Sequence, residues 1–231
     1  MNLIRVGVTQ AREDGEKSAA LLKEAGFEPV LLPQICFAAT GETIPPARYD
    51  LCLLTSPRAV RTLADSLQAT PDARVELGRV LAIHPRTARE AEALGFRVDD
   101  SVCPANAAEL LASVPSAPPE LHVLFPRGDL ADPEAIDSLT SAGHRVTAPI
   151  LYRTEAVPYD TAEVEALQAA APDAWIFTSP STFRNFSSRF GTAVLAASCV
   201  AVIGRTTKRA VEAAGVPVHV IPASPSVNEL I

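Results

Sequence analysis

The chain's 231 residues exceed one average domain, and 48% hydrophobic content with 5% aromatic residues suits cores of Val, Leu, Ile and Ala rather than stacked rings. A net charge of −7 argues against nucleic acid as the partner, because phosphate binding needs a basic face. No apolar run reaches the roughly 20 residues that span a bilayer, the amino terminus enters a strand pattern without the form of a secretory signal, and Cys36, Cys52, Cys103 and Cys199 make no C-x-x-C pair that would suggest zinc or a disulfide framework.

The first predicted strand, residues 4–8, runs into Thr9, Gln10 and Arg12. A helix face of Ser18, Leu21, Leu22 and Ala25 closes at Gly26, and a strand follows at 30–32. Pro33-Gln34-Ile35-Cys36-Phe37 then reads as a crossing out of this unit. A strand at 51–54 stops at Thr55-Ser56-Pro57 and gives way to a helix. The next strand, 80–83, stops at His84-Pro85-Arg86-Thr87; its helix closes at Gly95, with a strand position at Val98. The Pro-rich residues 115–119 read as a loop. A strand at 123–125 leads through Pro126-Arg127-Gly128-Asp129 to a helix face of Ile136, Leu139 and Thr140, then Gly143. One strand is expected over 146–151, and Pro149-Ile150-Leu151-Tyr152-Arg153 forms the second crossing. Beyond it, a strand at 175–177 stops at Thr178-Ser179-Pro180, one at 200–203 stops at Gly204-Arg205-Thr206-Thr207, Gly215 closes the last helix, and 218–221 is the final strand. Ser226-Val227-Asn228-Glu229 has capping-box spacing, announcing either a one-turn helix or a chain that continues.

These elements repeat. Ser56 to Thr87 spans 31 residues and Ser179 to Thr207 spans 28, and in both copies a glycine lies eight residues past the threonine. Thr9 to Gly26 and Pro126 to Gly143 both span 17. An internally duplicated α/β protein follows. Its continuous apolar strands suit parallel sheets buried on both faces. The fold expected is two similar, flavodoxin-like parallel-sheet α/β domains, the second inserted into the first. Residues 1–34 and 155–231 form a discontinuous domain and 39–148 the inserted one. The linkers, 35–38 and 149–154, run side by side as a two-stranded ribbon, with a cleft between the domains.

In open parallel sheets ligands sit beyond the carboxyl ends of the strands, where unpaired N–H groups and the helix dipole attract anions. Arg12, Arg58, Arg86, Arg127, Arg184 and Arg205 all fall at or just after predicted strand-to-helix turns. Any one of them reads as an ordinary solvated residue. All six together describe an electropositive cleft in an acidic protein. No G-x-G-x-x-G, Walker A lysine, H-E-x-x-H or G-x-S-x-G is present. His122 and His219 read as satisfied strand residues. His84 stands where the other copy has a glycine, and Asp129 and Asp132 fit turn and cap roles. An enzyme built this way works by holding a reactive substrate in geometry; a binding protein would carry the same pattern.

Thr9, the Leu54-Thr55-Ser56 and Phe177-Thr178-Ser179 turns, Pro126-Arg127-Gly128, Leu151-Tyr152-Arg153-Thr154, and Ile203-Gly204-x-Thr206-Thr207 with Gly215 resemble, in order and spacing, the uroporphyrinogen-III synthase family over nearly the whole chain. The resemblance implies two α/β domains, no cofactor and no metal. It implies cyclisation of hydroxymethylbilane, a linear tetrapyrrole with eight carboxylates, with ring D inverted through a spiro intermediate and loss of water. It makes the partner a polycarboxylate tetrapyrrole, with no nucleic acid or membrane, and the protein a cytoplasmic monomer. Thr9, Thr55, Ser56, Thr87, Thr178, Ser179, Ser181, Thr206 and Thr207 would line the cleft, and Gly128, Gly204, Arg12, Arg86 and Arg127 complete the substrate-binding set. Tyr152 matches a tyrosine that assists departure of the hydroxyl, and fits a packed linker aromatic equally well. Two positions depart from the family pattern: Gln10 where an arginine usually follows the first threonine, and His84 at the start of a Gly-x-x-Thr turn. Two rival readings are a two-domain small-molecule binding protein of another class and a synthase-like tetrapyrrole sensor without activity.

Overall fold

A computed structural model describes residues 3–102, 104–116, 118–169 and 172–231. Cys103, and Ala117 of the Pro-rich loop, lie outside the described residues. In chain order the elements are β1 (Arg5–Val8), α1 (Arg12–Glu24), β2 (Glu28–Leu31), β3 (Ile35–Ala39), β4 (Arg48–Leu54), α2 (Pro57–Ala69), β5 (Glu76–Ala82), α3 (His84–Ala93), α4 (Ala107–Ala112), β6 (His122–Leu124), β7 (Arg127–Gly128), α5 (Glu134–Ser141), β8 (Arg145–Thr147), β9 (Ile150–Ala156), α6 (Thr161–Ala169), β10 (Ala174–Phe177), α7 (Pro180–Phe190), β11 (Cys199–Val202) and α8 (Arg205–Ala213). The chain divides into two compact units. Residues Met1–Phe37 with Glu155–Ile231 make the first, and Ala38–Thr154 the second.

The second unit holds the sheet β5-β4-β6-β8, parallel throughout. Burial explains why β4 can be apolar without alternation. Leu51 and Leu53 enter one core with Leu81, Val123, Leu110, Ala135 and Leu139. Cys52 and Leu54 enter the other with Val60, Leu63, Val80 and Ala91. Successive side chains thus feed opposite helical layers, as a strand period of two requires. Burial in this dry layer pushes the Cys52 thiol up to about 12.

The first unit repeats the plan with the chain entering elsewhere. Its sheet, β11-β10-β1-β2, is also parallel. β10 and β11 take the places of β4 and β5, and β1 and β2 those of β6 and β8. A single parallel bridge flanks each sheet at the same edge, Val80 with Val98 and Ala201 with Val220. Trp175, Phe177, Val200 and Val202 pack beneath Phe183, Phe186, Phe190 and Val211. Ile176 and Ala201 turn to the other face with Val6, Val8 and Leu22. Gly26, Gly95, Gly143 and Gly215 have φ of 87°, 86°, 88° and 76°, so each expected helix end is closed by a left-handed glycine.

Three expectations change. The single strand over 146–151 is two strands, β8 in the large sheet and β9 in a small one ordered β3-β9-β7. Its partner breaks in the same way, β6 passing to β7. A proline stands at each break, Pro126 and Pro149, and proline cannot donate to a ladder. The final strand, 218–221, shrinks to the bridge at Val220. The Ser226 capping box does not form, because the Glu229 carboxylate accepts from the Ser224 N–H at 2.9 Å and from the Ser224 hydroxyl. Among the described residues, no helix is long and apolar enough to cross a membrane, and no group of three or more His, Cys, Asp or Glu could hold a metal ion.

Candidate functional site

Strand order reverses between β4 and β6 in the second unit, the position at which such sheets open a crevice for ligands. Thr55 and Ser56 leave β4 there, and both are half-buried. Ser56 caps α2, its Oγ accepting from the Ala59 N–H at 3.1 Å with Pro57 at the first helical position. One of the hydroxyl's two lone pairs is thereby engaged. Tyr152, on β9, brings its hydroxyl to 3.5 Å from Ser56 Oγ. That is wider than the roughly 2.7–2.8 Å of a strong O–H···O bond.

Arg127 and Gly128 were expected in a strand-to-helix turn. They form β7 instead, paired with β9, and α5 begins only at Glu134. Arg127 is half-buried, and its Nε is enclosed without a hydrogen-bond partner. A guanidinium N–H in that state is costly unless an acceptor arrives. Gly128 is buried against the Tyr152 ring. On the other side of β4, α3 carries Arg86 on the surface, while Thr87 is 2% exposed and belongs to the helix underside. His84 has φ 57°, in the left-handed region, with its N–H donating to Pro104 O at 3.0 Å. The glycine of the other copy, Gly204, has φ 178° and is simply extended. Sequence alignment of the copies thus hides two different turns.

The first unit's reversal lies between β10 and β1. Thr178 and Ser179 leave β10 as Thr55 and Ser56 leave β4. Ser179 caps α7 in a full capping box with Thr182, a residue the sequence reading passed over: Ser179 Oγ accepts from the Thr182 N–H at 3.2 Å, and Thr182 Oγ1 accepts from the Ser179 N–H at 3.3 Å. The signal was the three-residue spacing, overlooked because threonine stood where the box usually has Glu or Gln. Ser181 Oγ is 2.9 Å from Ser179 Oγ, so two hydroxyls share the rim.

Thr9 is a correction to the expected rim. It is 0% exposed, and its hydroxyl donates to the Ile176 carbonyl at 2.7 Å, tying β1 to β10. Thr207 is likewise 2% exposed, whereas Thr206 is at the surface. Of the six arginines, Arg12, Arg58, Arg86 and Arg205 stand in first helical turns; Arg184 lies further along α7, and Arg127 is in a strand. Arg12 is 4.0 Å from Glu16, a surface pair of small worth. The second unit thus sets Tyr152 against Ser56, with Thr55 beside the serine and Arg127 on the strand paired with that of Tyr152, and the first unit carries Thr178, Ser179, Ser181 and Thr206 at its strand ends.

A sequence model described as uroporphyrinogen-III synthase HemD matches residues 16–231. A protein of Chlorobaculum parvum named uroporphyrinogen-III synthase is 29% identical over 226 residues, covering 93% of this chain and 91% of that one. Among solved structures, uroporphyrinogen-III synthetase from Helicobacter pylori aligns with a TM-score of 0.69 at 18% identity, over 99% of this chain and 96% of that one. A mutant uroporphyrinogen III synthase from Thermus thermophilus aligns at 0.63 with 21% identity, over 98% and 95%. Identities this low establish the shared fold.

Proposed function

The chain belongs to the uroporphyrinogen-III synthase family, cyclising lyases of tetrapyrrole biosynthesis, and we propose that the hydroxyl rims and Arg127 are what bind its substrate. The reaction closes hydroxymethylbilane to uroporphyrinogen III. The terminal hydroxyl leaves as water, and ring D is inverted through a spiro intermediate. Left alone, the same substrate closes to the uninverted isomer. The protein's task is therefore to direct conformation and to ease departure of the hydroxyl.

One observation carries the assignment of residues. The Tyr152 hydroxyl stands 3.5 Å from the Ser56 hydroxyl at the N-terminus of a 13-residue helix, on the strand reversal of its sheet. A phenol there can donate a hydrogen bond to a departing hydroxyl without having to ionise. Beside it, the Ser56 hydroxyl and the positive end of the α2 dipole suit carboxylate oxygens, and the Arg127 guanidinium, carried on the strand paired with that of Tyr152, is a further charged donor. Thr178, Ser179, Ser181 and Thr206 form the corresponding carboxylate contacts of the first unit, with Gly204 in its turn and Arg12, Arg86 and Arg205 as surface charges. Thr9, a buried tie, and Thr87 and Thr207, buried on the undersides of their helices, are better read as packing beneath the rims than as ligand contacts. The two compact units would be the two domains, and β3 and β9, through which the chain passes from one to the other, their linkers.

Incubation with freshly generated hydroxymethylbilane, followed by chromatographic separation of the isomers, tests the reading. Uroporphyrinogen III formed faster than spontaneous closure is the expected result. Uninverted isomer alone, at the rate seen in buffer, would overturn it and favour a binding protein.

A further inference from the structure

Tyr152 reaches Ser56 only because the residue beneath it has no side chain. A Cβ placed on Gly128 would lie 2.5 Å from Cε2 of Tyr152, 2.6 Å from Cζ and 2.9 Å from the hydroxyl oxygen. No real Cβ tolerates such distances. The contact also depends on an irregular register. Arg127 pairs with Ile150 but Gly128 pairs with Tyr152, so β9 spends an extra residue at that step. The extra residue, Leu151, is 4% exposed in the core, which sends Tyr152 to the opposite face. Bulges of this kind re-aim single side chains, and they recur beside active sites. Asp129 then fastens the chain leaving the tyrosine: its N–H donates to Tyr152 O at 3.1 Å, and its Oδ1 accepts from the Thr154 N–H at 2.9 Å.

We propose that Gly128 is a positioning residue, the seat that holds the Tyr152 hydroxyl over Ser56, rather than a contact for the ligand. The proposal rests on the reading of Tyr152 given above and supplies what that reading lacks, a reason for the tyrosine's pose. A methyl group on residue 128 must push the phenol off its seat or drive β7 away from β9. Either way the damage passes through the ring. Without the ring, the three nearest obstacles to that methyl group are gone.

A double-mutant cycle with Gly128→Ala and Tyr152→Ala decides it, read by kcat and KM for uroporphyrinogen III formation and by melting temperature. Gly128→Ala alone lowers kcat to within about twofold of the Tyr152→Ala value, leaves KM unmoved and lowers the melting temperature. In the Tyr152→Ala background, Gly128→Ala costs nothing further in either measure. Losses that multiply would overturn the proposal. So would a raised KM with kcat intact in Gly128→Ala, which would make the glycine a ligand contact. Should Gly128→Ala fail to fold, a soluble double variant supports the seat, and an insoluble one sinks it. Were the unmutated chain to form no uroporphyrinogen III, the functional reading would fall, while the melting cycle would still decide whether the ring sits on Gly128.

Discussion

In the first unit the ring of Trp175 lies on Gly7 of the neighbouring strand, where a Cβ would come within 2.4 Å of it. In the second the ring of Tyr152 lies on Gly128 in the same relation. The surroundings differ. Trp175 is 0% exposed, tilted against Phe186 at 4.6 Å, and its indole Nε1 finds no partner. Tyr152 is half-buried and turns its hydroxyl toward Ser56. One backbone device therefore serves packing in one unit and presentation of a polar group in the other. A strand pair buried on both faces can only fill space. A short pair at the sheet's carboxyl end can offer a functional group to a ligand.

The comparison breaks most readily at Trp175. Trp175→Ala should cost about 3–5 kcal/mol of unfolding free energy, since it empties the centre of the aromatic core. Urea unfolding measures this, and a loss below about 1 kcal/mol would mean that the first unit's glycine–ring pair is not a packing element. Arg127→Ala comes next. If its guanidinium binds a carboxylate, affinity for substrate or product falls by about 1.5–3 kcal/mol while the melting temperature barely moves. A sharply lowered melting temperature with affinity retained would make Arg127 structural and erase the contrast between the units.

Tyr152→Phe keeps the ring and its seat and removes only the hydroxyl. The substrate loses its own hydroxyl readily in water, so the expected fall in kcat is a few fold, with orientation intact. A drop of about 10²–10⁴-fold, with folding and product affinity unchanged, would instead establish general acid catalysis. The smallest effect concerns the sheet edges. Hydrogen bonds from Ser101, with Arg79 beside it at 2.8 Å, hold the Asp99 carboxyl down to about 2. A carboxyl depressed below its usual value near 3.9 stabilises the fold above that pH, and the contribution is lost as pH falls from about 4 toward 2. Acid titration of stability should show a shallow slope in that window that Asp99→Asn abolishes. An unchanged slope would show that the Val98 edge is no better fastened than its counterpart at Val220.

Much of this was legible in the residues. Apolar runs such as Leu51 to Leu54 announced parallel strands because burial on both faces removes alternation. The glycines at 26, 95, 143 and 215 marked helix ends because a left-handed cap disfavours a Cβ. The Thr-Ser-Pro order marked where strand gives way to helix, which is local chemistry, and Ser56 and Ser179 prove to be the caps there. The threonines were read less well. Thr9, Thr87 and Thr207 carry the same hydroxyl as Thr55 and Thr178, and only burial separates them from a donor at the rim. Asp129 is the turn residue its setting announced, but its ties to Tyr152 and Thr154 lie more than twenty residues away and leave no local mark.

The sequence by itself determined the central strands, the helix ends closed by glycine, the repeat and the polar character of the strand ends, since each shows in short apolar runs and the turn residues that stop them. Only the tertiary structure decided which hydroxyls reach the surface, that Arg127 and Gly128 form a strand, and that Tyr152 meets Ser56. Those outcomes depend on pairing across sequence separations of 24 residues between Gly128 and Tyr152 and 96 between Ser56 and Tyr152. The register there is set by a bulge and two prolines, and no periodicity along a single strand records which residue of another strand lies opposite.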